Sequence, residues 1–397
     1  MIKLPKLLVL CSSLPGSRHG GGVVQAEILK RYPRDRYVCF SVNPLEKREL
    51  PECLKGVHCR VAPLVPKPKI RGARFYLPLL RAIGFHLAAP MSVRQAVAFG
   101  RRHGVELVWA ELQGDAVVIA RRVADALEVP FVGTVWDDPE SWLQDGGFDR
   151  FSRQLLQKRF RAALQGARRL STAGEAMQEV YEKEYGIQSV ILRHGFERSA
   201  SPPKTLRDAN GIVIGFVGNA YGPDAWEAFL AAVAQINASE RLPGITVRAF
   251  GPGVPYRRAG VEIEDRGWQP AEVMLQEIAK TDFCYLPYWF EPRKRRHVEL
   301  SFPNKFETYL AAGRPVLYHG PEYAGITQVI NQYGVGICVH SLSPAEIADA
   351  LKRLIINHPL RDSFSRAALA AFQSEFNATR MMENFARLIG VQPGVFV

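Results

Sequence analysis

The sequence predicts an α/β protein made of two doubly wound, Rossmann-like domains facing a cleft. Three observations predict it. The chain has 397 residues, enough for two domains at roughly 100 to 200 residues each. Short apolar runs alternate with longer amphipathic ones from end to end, the pattern of parallel strands covered by helices on both faces. A stretch without apolar period, ERSASPPKTLRDANG at 197–211, divides the chain nearly in half and reads as a linker. The expected domains are therefore residues 1–200 and 201–375.

Taken in order, the strand-like runs of the first half are LLVLCSS (7–13), YVCFSV (37–42), LVWAEL (107–112), PFVGTVW (130–136) and SVILRHG (189–195). LLVL follows two lysines, but it is shorter than the ~7 to 15 apolar residues of a signal-peptide core and reads as a buried first strand. In the second half the runs are IVIGFVG (212–218), ITVRAFG (245–251), FCYLPY (283–288), PVLYHG (315–320) and VGICV (335–339). Between strands the apolar period changes. In DAWEAFLAAVAQI, Trp226, Phe229, Leu230 and Val233 fall on one helical face. Parallel sheets bind ligands at the carboxyl ends of their strands, so two such edges are expected to line the cleft.

Composition narrows the classes. No run approaches the ~18 to 20 apolar residues of a membrane span. The six cysteines form no C-x-x-C pair and no zinc spacing, which suits reduced thiols in a cytoplasmic protein. Residues 1–200 hold 31 Lys and Arg against 20 Asp and Glu, so nearly all of the net charge of +12 lies there. Between Glu52 and Glu106 there is no acidic residue but ten basic ones, among them Lys67, Lys69, Arg71 and Arg74, interleaved with apolar side chains such as Tyr76, Leu79 and Ile83. Such a stretch suits an anionic membrane surface; an ordinary solvated face and nucleic acid are the alternatives, the cleft arguing against the last.

Two strand-to-helix turns are glycine-rich: one carries Gly20, Gly21 and Gly22, the other Gly218, Asn219 and Gly222. Bare backbone at a helix start can approach an anion, or it can simply make a tight turn. The strongest segment is SFPNKFETYLAAGRPVLYHG, 301–320. Phe302, Pro303 and Asn304 lead into a helix expected over Lys305 to Ala312, ended by Gly313. Lys305 at that start opposes the helix dipole, which makes sense if a phosphate binds there.

This segment resembles the donor-binding signature of family 4 and related retaining glycosyltransferases of the B-type fold, P-x-K-x-x-E-x-(L/M)-A-x-G-(R/K)-P-V. Here it reads P-N-K-F-E-T-Y-L-A-A-G-R-P-V. IGFVGN, RAFGPG, DRGWQP, YLPYWFEP and RHGFE follow the family's order, covering residues 189–340 well and the first domain loosely. The resemblance implies the B-type glycosyltransferase fold, with terminal helices about 375–397 packing back on the first domain. It implies transfer of a sugar from a nucleoside diphosphate sugar to a glycan or lipid-linked acceptor. Surface polysaccharide or glycoconjugate synthesis, at the inner face of the membrane, is the setting it suggests. The family uses no bound cofactor or metal, and amides and cations neutralise the leaving diphosphate instead. Trp268 is placed by it near the base and Tyr288 near the donor.

The sequence departs from the pattern in places. The family's ribose-holding Glu falls on Thr308, with Glu307 one place early. The turn at Gly218 lacks the usual Arg and Lys, leaving Lys305 and Arg293 to supply charge. Asp137 and Asp138 follow a strand, where a carboxylate can act as base, position the donor sugar or cap a helix ahead of Pro139. With Glu291 they are the candidate catalytic carboxylates, while His19 and His194 read as turn histidines. A catalytically inactive B-fold binder and a sugar-nucleotide epimerase are the rival readings.

Overall fold

The computed structural model of the chain describes residues 4–16, 20–43, 51–65, 76–200, 211–239, 242–254 and 256–396. His19, most of the expected linker and the four cations Lys67, Lys69, Arg71 and Arg74 lie outside them. Two compact units emerge. The first takes the chain up to His194 and again from Met381; the second runs Gly195–Arg380.

The first unit holds a parallel sheet of β1 (Leu7–Cys11), β2 (Tyr37–Ser41), β3 (Cys59–Val61), β4 (Leu107–Glu111), β5 (Phe131–Val135), β6 (Arg169–Thr172) and β7 (Ser189–Ile191). Its order is β3-β2-β1-β4-β5-β6-β7. All residues of β1, β2, β4 and β5 are buried, as expected for central strands covered on both faces. The end of the chain packs within this unit: Phe385 lies edge-on to Tyr32 at 6.0 Å and tilted against Trp109 at 4.7 Å.

The second unit repeats the plan with β8 (Ile212–Val217), β9 (Ile245–Phe250), β10 (Glu262–Asp265), β11 (Phe283–Pro287), β12 (Val316–His319) and β13 (Gly336–Val339), in the order β10-β9-β8-β11-β12-β13. Alternation along β11 divides the core: Phe283 and Tyr285 join the cluster on one face, Cys284 and Leu286 the cluster on the other. In each sheet the strand order reverses once, between β1 and β4 and between β8 and β11. That is the switch point outside whose carboxyl ends doubly wound sheets form their binding crevice.

The strands end one or two residues short of several expected runs, and SVILRHG stops as a strand at Ile191. The signature helix runs Asn304–Ala311, one residue earlier at each end than expected.

Candidate functional site

In the second unit the site is built around the junction of β8 with the signature helix. The Tyr309 hydroxyl accepts from the Val217 N–H at 3.1 Å and donates to the Tyr285 carbonyl at 3.0 Å, tying Asn304–Ala311 to the carboxyl half of β8 and to β11. Pro303 caps the helix start and Asn304 opens it. One residue on, Lys305 is buried, and its Nζ donates to the Asn219 carbonyl at 2.7 Å. The ammonium also sits 4.1 Å from the Tyr221 ring centroid and 4.9 Å from that of Phe216. Burial alone pushes its pKa down to about 7. Among the described residues no carboxylate pairs with it.

Gly218 is favoured at this turn by its φ of +78°, which disfavours any side chain; a Cβ there would make only ordinary contact with Lys305 Cε at 3.8 Å. Lys305, Gly218 and Asn219 are thus brought together at the turn after β8, at the switch point. An anion there would meet bare backbone, a helix start and a buried ammonium.

The remaining expected residues are distributed around this centre. Trp268 is exposed on the loop after β10, which is held to the end of β9 by the Gly251 N–H donating to the Gly267 carbonyl at 3.0 Å. Thr308 is buried one turn along the helix from Asn304, whose carbonyl lies 3.5 Å from its hydroxyl. Two side chains are placed differently from a ligand-contacting role. Tyr288 is buried in the core with its hydroxyl 2.9 Å from Ser301 Oγ, and Phe302 stacks on Phe376 at 6.2 Å. Both support the signature helix from beneath. Glu291 and Arg293 form an exposed ion pair with each other in the loop after β11.

In the first unit the expected glycine loop is a packing device. A Cβ on Gly21 would fall 2.3 Å from Trp136 Cδ1, so the start of helix Gly20–Lys30 lies flat on the indole. Gly22 is buried, and its carbonyl accepts from the Gly16 N–H at 2.7 Å. Asp138, expected among the catalytic carboxylates, is a helix cap. One oxygen accepts from the Glu140 N–H and the other from the Tyr181 hydroxyl, both at 3.0 Å. Asp137 is the more available carboxylate, held by Gln113 Nε2 at 3.1 Å. His194 is buried and kept neutral, its pKa pushed down to about 4 by burial.

One carboxyl group was missed in the sequence. Glu111 ends β4 at the first switch point, and Ser12, just after β1, donates its N–H to Glu111 Oε2 at 3.2 Å. Burial, with the charge of Asp137 adding to it, raises Glu111 to about 7. A protonated glutamate beside an aspartate is an arrangement that can hold or pass a proton near neutral pH. Its signal was legible: a lone carboxylate inside the apolar run LVWAEL. The buried Trp136 Nε1 and Gln25 amide, one turn along from Gly21, have no hydrogen-bond partner in the structure. Buried polar atoms are usually paired, so these two side chains are exceptions within the first unit. Among the described residues no group of three or more His, Cys, Asp or Glu could hold a metal ion.

Comparison with known proteins bears on the fold. Residues 211–357 match the family model described as glycosyl transferases group 1. Over the whole chain, the fold is shared with HepE of Anabaena solved with UDP and glucose: TM-score 0.66, 15% identity, covering 98% of this chain and 100% of the other. Sucrose-phosphate synthase of Thermosynechococcus elongatus aligns with TM-score 0.66 at 16% identity over 96% and 98% of the two chains. WaaG, a glycosyltransferase involved in lipopolysaccharide biosynthesis, aligns with TM-score 0.61 at 13% identity over 97% and 99%. The two-unit B-type fold is thus the fold of this chain.

Proposed function

We propose that the chain, whose residues 211–357 match the glycosyl transferases group 1 model, transfers a sugar from a nucleoside diphosphate sugar to a glycan or lipid-linked acceptor. The observation that carries the reading is Lys305: a buried ammonium, facing bare backbone at the β8 turn, with no carboxylate partner among the described residues. A diphosphate supplies the charge that this cation lacks. HepE has been solved with UDP and with UDP-glucose, which makes a uridine diphosphate sugar the first donor to test.

In the proposed reaction the bond from the anomeric carbon to the diphosphate oxygen breaks, and the diphosphate leaves with the electron pair. The acceptor oxygen forms the new bond to that carbon and loses its proton to a carboxylate. Lys305 and the amides of the Gly218–Asn219 turn steady the growing phosphate charge, so turnover is expected without a metal ion. Thr308 offers a hydroxyl where relatives of this signature offer a carboxylate to the ribose, and Trp268 offers an exposed ring to the base. On the first unit, Asp137 is the group proposed to receive the acceptor's proton.

The acceptor is proposed to be met at the inner face of a membrane, whose anionic lipids would attract the basic first half. No helix among the described residues is long and apolar enough to cross one. A thermal-shift screen against nucleoside diphosphates tests the donor assignment, because a ligand bound to the native state raises the melting temperature. A shift with diphosphates and none with nucleosides supports it. Equal shifts for both would overturn the phosphate assignment. Diphosphate binding without any sugar transfer would favour the inactive reading, for which Thr308 is the motive.

A further inference from the structure

We propose that one helical run of the first unit docks the protein on an anionic bilayer by inserting an apolar stripe; this rests on the membrane reading above and gives it a structural element. The run comprises helix Leu77–Ile83, a π-helical turn Gly84–Ala88 and helix Ala89–Arg102. Along it, Leu79 is 60% exposed, Ile83 45%, Leu87 72% and Met91 62%, with Tyr76 just ahead at 65%. The spacing is four residues throughout. In an α-helix, side chains four apart drift around the axis by about 40° a step, so a stripe of this period would wind away. The π turn carries more residues per turn and reverses that drift midway, which keeps Leu79, Ile83, Leu87 and Met91 on one side.

The opposite side of the run is firmly seated, so the stripe is not a sign of a badly packed helix. Arg81 is buried and donates to the Gly146 and Gly147 carbonyls, both at 2.9 Å, with its guanidinium 3.8 Å from the Phe148 ring centroid. A Cβ on Gly84 would meet the Leu64 carbonyl oxygen at 2.2 Å, so backbone rests on backbone there. Phe85, Ala89, Val93 and Ala96 are buried beneath.

Charge identifies the occupant. The run lies in the stretch between Glu52 and Glu106 that has no acidic residue. Arg94, Arg101 and Arg102 are exposed on it. The neighbouring helix Arg150–Gly166, against which Leu77–Ile83 packs, begins with exposed Arg150, Phe151 and Arg153. Large aliphatic side chains among cations fit the interface of an anionic bilayer, where the apolar groups enter the acyl boundary and the cations meet the headgroups. Nucleic acid would use the cations but leave Leu79, Leu87 and Met91 facing water.

The test uses the full chain, its Leu79→Ser/Leu87→Ser/Met91→Ser variant, and vesicles of phosphatidylcholine alone or with phosphatidylglycerol. Flotation of the wild type should need phosphatidylglycerol. It should weaken with salt yet retain a residual part that salt does not remove, since burial of apolar groups is not screened. The triple variant should bind roughly tenfold less or weaker still, and lose that residual part. Its melting temperature and its diphosphate binding should match the wild type. A tryptophan placed by Leu87→Trp should shift its emission to the blue on phosphatidylglycerol vesicles. Unchanged flotation in the variant, or no emission shift, would overturn the proposal, as would a dimer in solution that the three substitutions dissolve. Loss of diphosphate binding in the wild type with vesicle binding intact would defeat the glycosyl-transfer reading alone.

Discussion

Among single residues, Lys305 carries the donor chemistry proposed for the second unit. Desolvation lowers its pKa to about 7, far below the ordinary 10.5 of a lysine. Above pH 7 the free protein therefore holds it largely neutral, while a bound diphosphate favours the charged form. Binding should take up a proton between pH 7 and about 10, seen by calorimetry as a heat that depends on the buffer's own ionisation enthalpy. Lys305→Ala should abolish that uptake and weaken the nucleoside diphosphate by roughly 1.5 to 3 kcal/mol, with little change for the nucleoside. Glu111 has the opposite sign. Its folded value is raised from 4.5 to about 7, so across that window the folded chain holds a proton that the unfolded chain has lost. Stability should fall as pH rises through the window, by about 3 kcal/mol at most, and level off above it. Glu111→Gln should flatten this profile, as followed by urea unfolding at a series of pH values. If the variant keeps the wild-type slope, another group is responsible.

At the scale of elements, each unit depends on one close approach. Helix Gly20–Lys30 reaches the Trp136 indole only because position 21 has no Cβ, so Gly21→Ala should cost roughly 1 to 3 kcal/mol in denaturant unfolding. A neutral result would mean that the helix start can slide. The signature helix, in turn, is fixed by Tyr309 to β8, which is why Lys305 meets Asn219 across 86 residues of sequence. Central strands were legible because they are continuous apolar runs; β3, β6 and β10 were not. β3 is three partly exposed residues at a sheet edge, and β10 reads EIED at the other sheet's edge. RLST in β6 places Ser171 and Thr172 where apolar side chains are expected, and Ser171 is satisfied by Thr134 Oγ1 at 2.8 Å. Polar pairing across strands carries no periodic trace. The same limit hid the site's details. Sequence spacing marked Lys305 and Asp138 alike, but only packing tells a buried cation from a helix cap.

At the scale of the molecule, the two halves of the sequence, whose sheets share the order of six strands, differ sharply in charge. Residues 1–200 carry 31 basic and 20 acidic side chains, while the whole chain carries 51 and 39. The donor chemistry is assigned to the nearly balanced half and the attraction to anionic surfaces to the basic half. Chelation with EDTA should leave sugar transfer intact, since the charge assigned to the diphosphate is a lysine and backbone amides; loss of turnover restored by magnesium or manganese would refute that assignment. The most direct test of the central claim is release of nucleoside diphosphate from a panel of nucleoside diphosphate sugars, beginning with UDP-glucose. Release is expected from at least one donor, faster when a glycan or lipid-linked acceptor is added, and lost in Lys305→Ala. No release from any donor in the panel, or equal release by the wild type and Lys305→Ala, would contradict it.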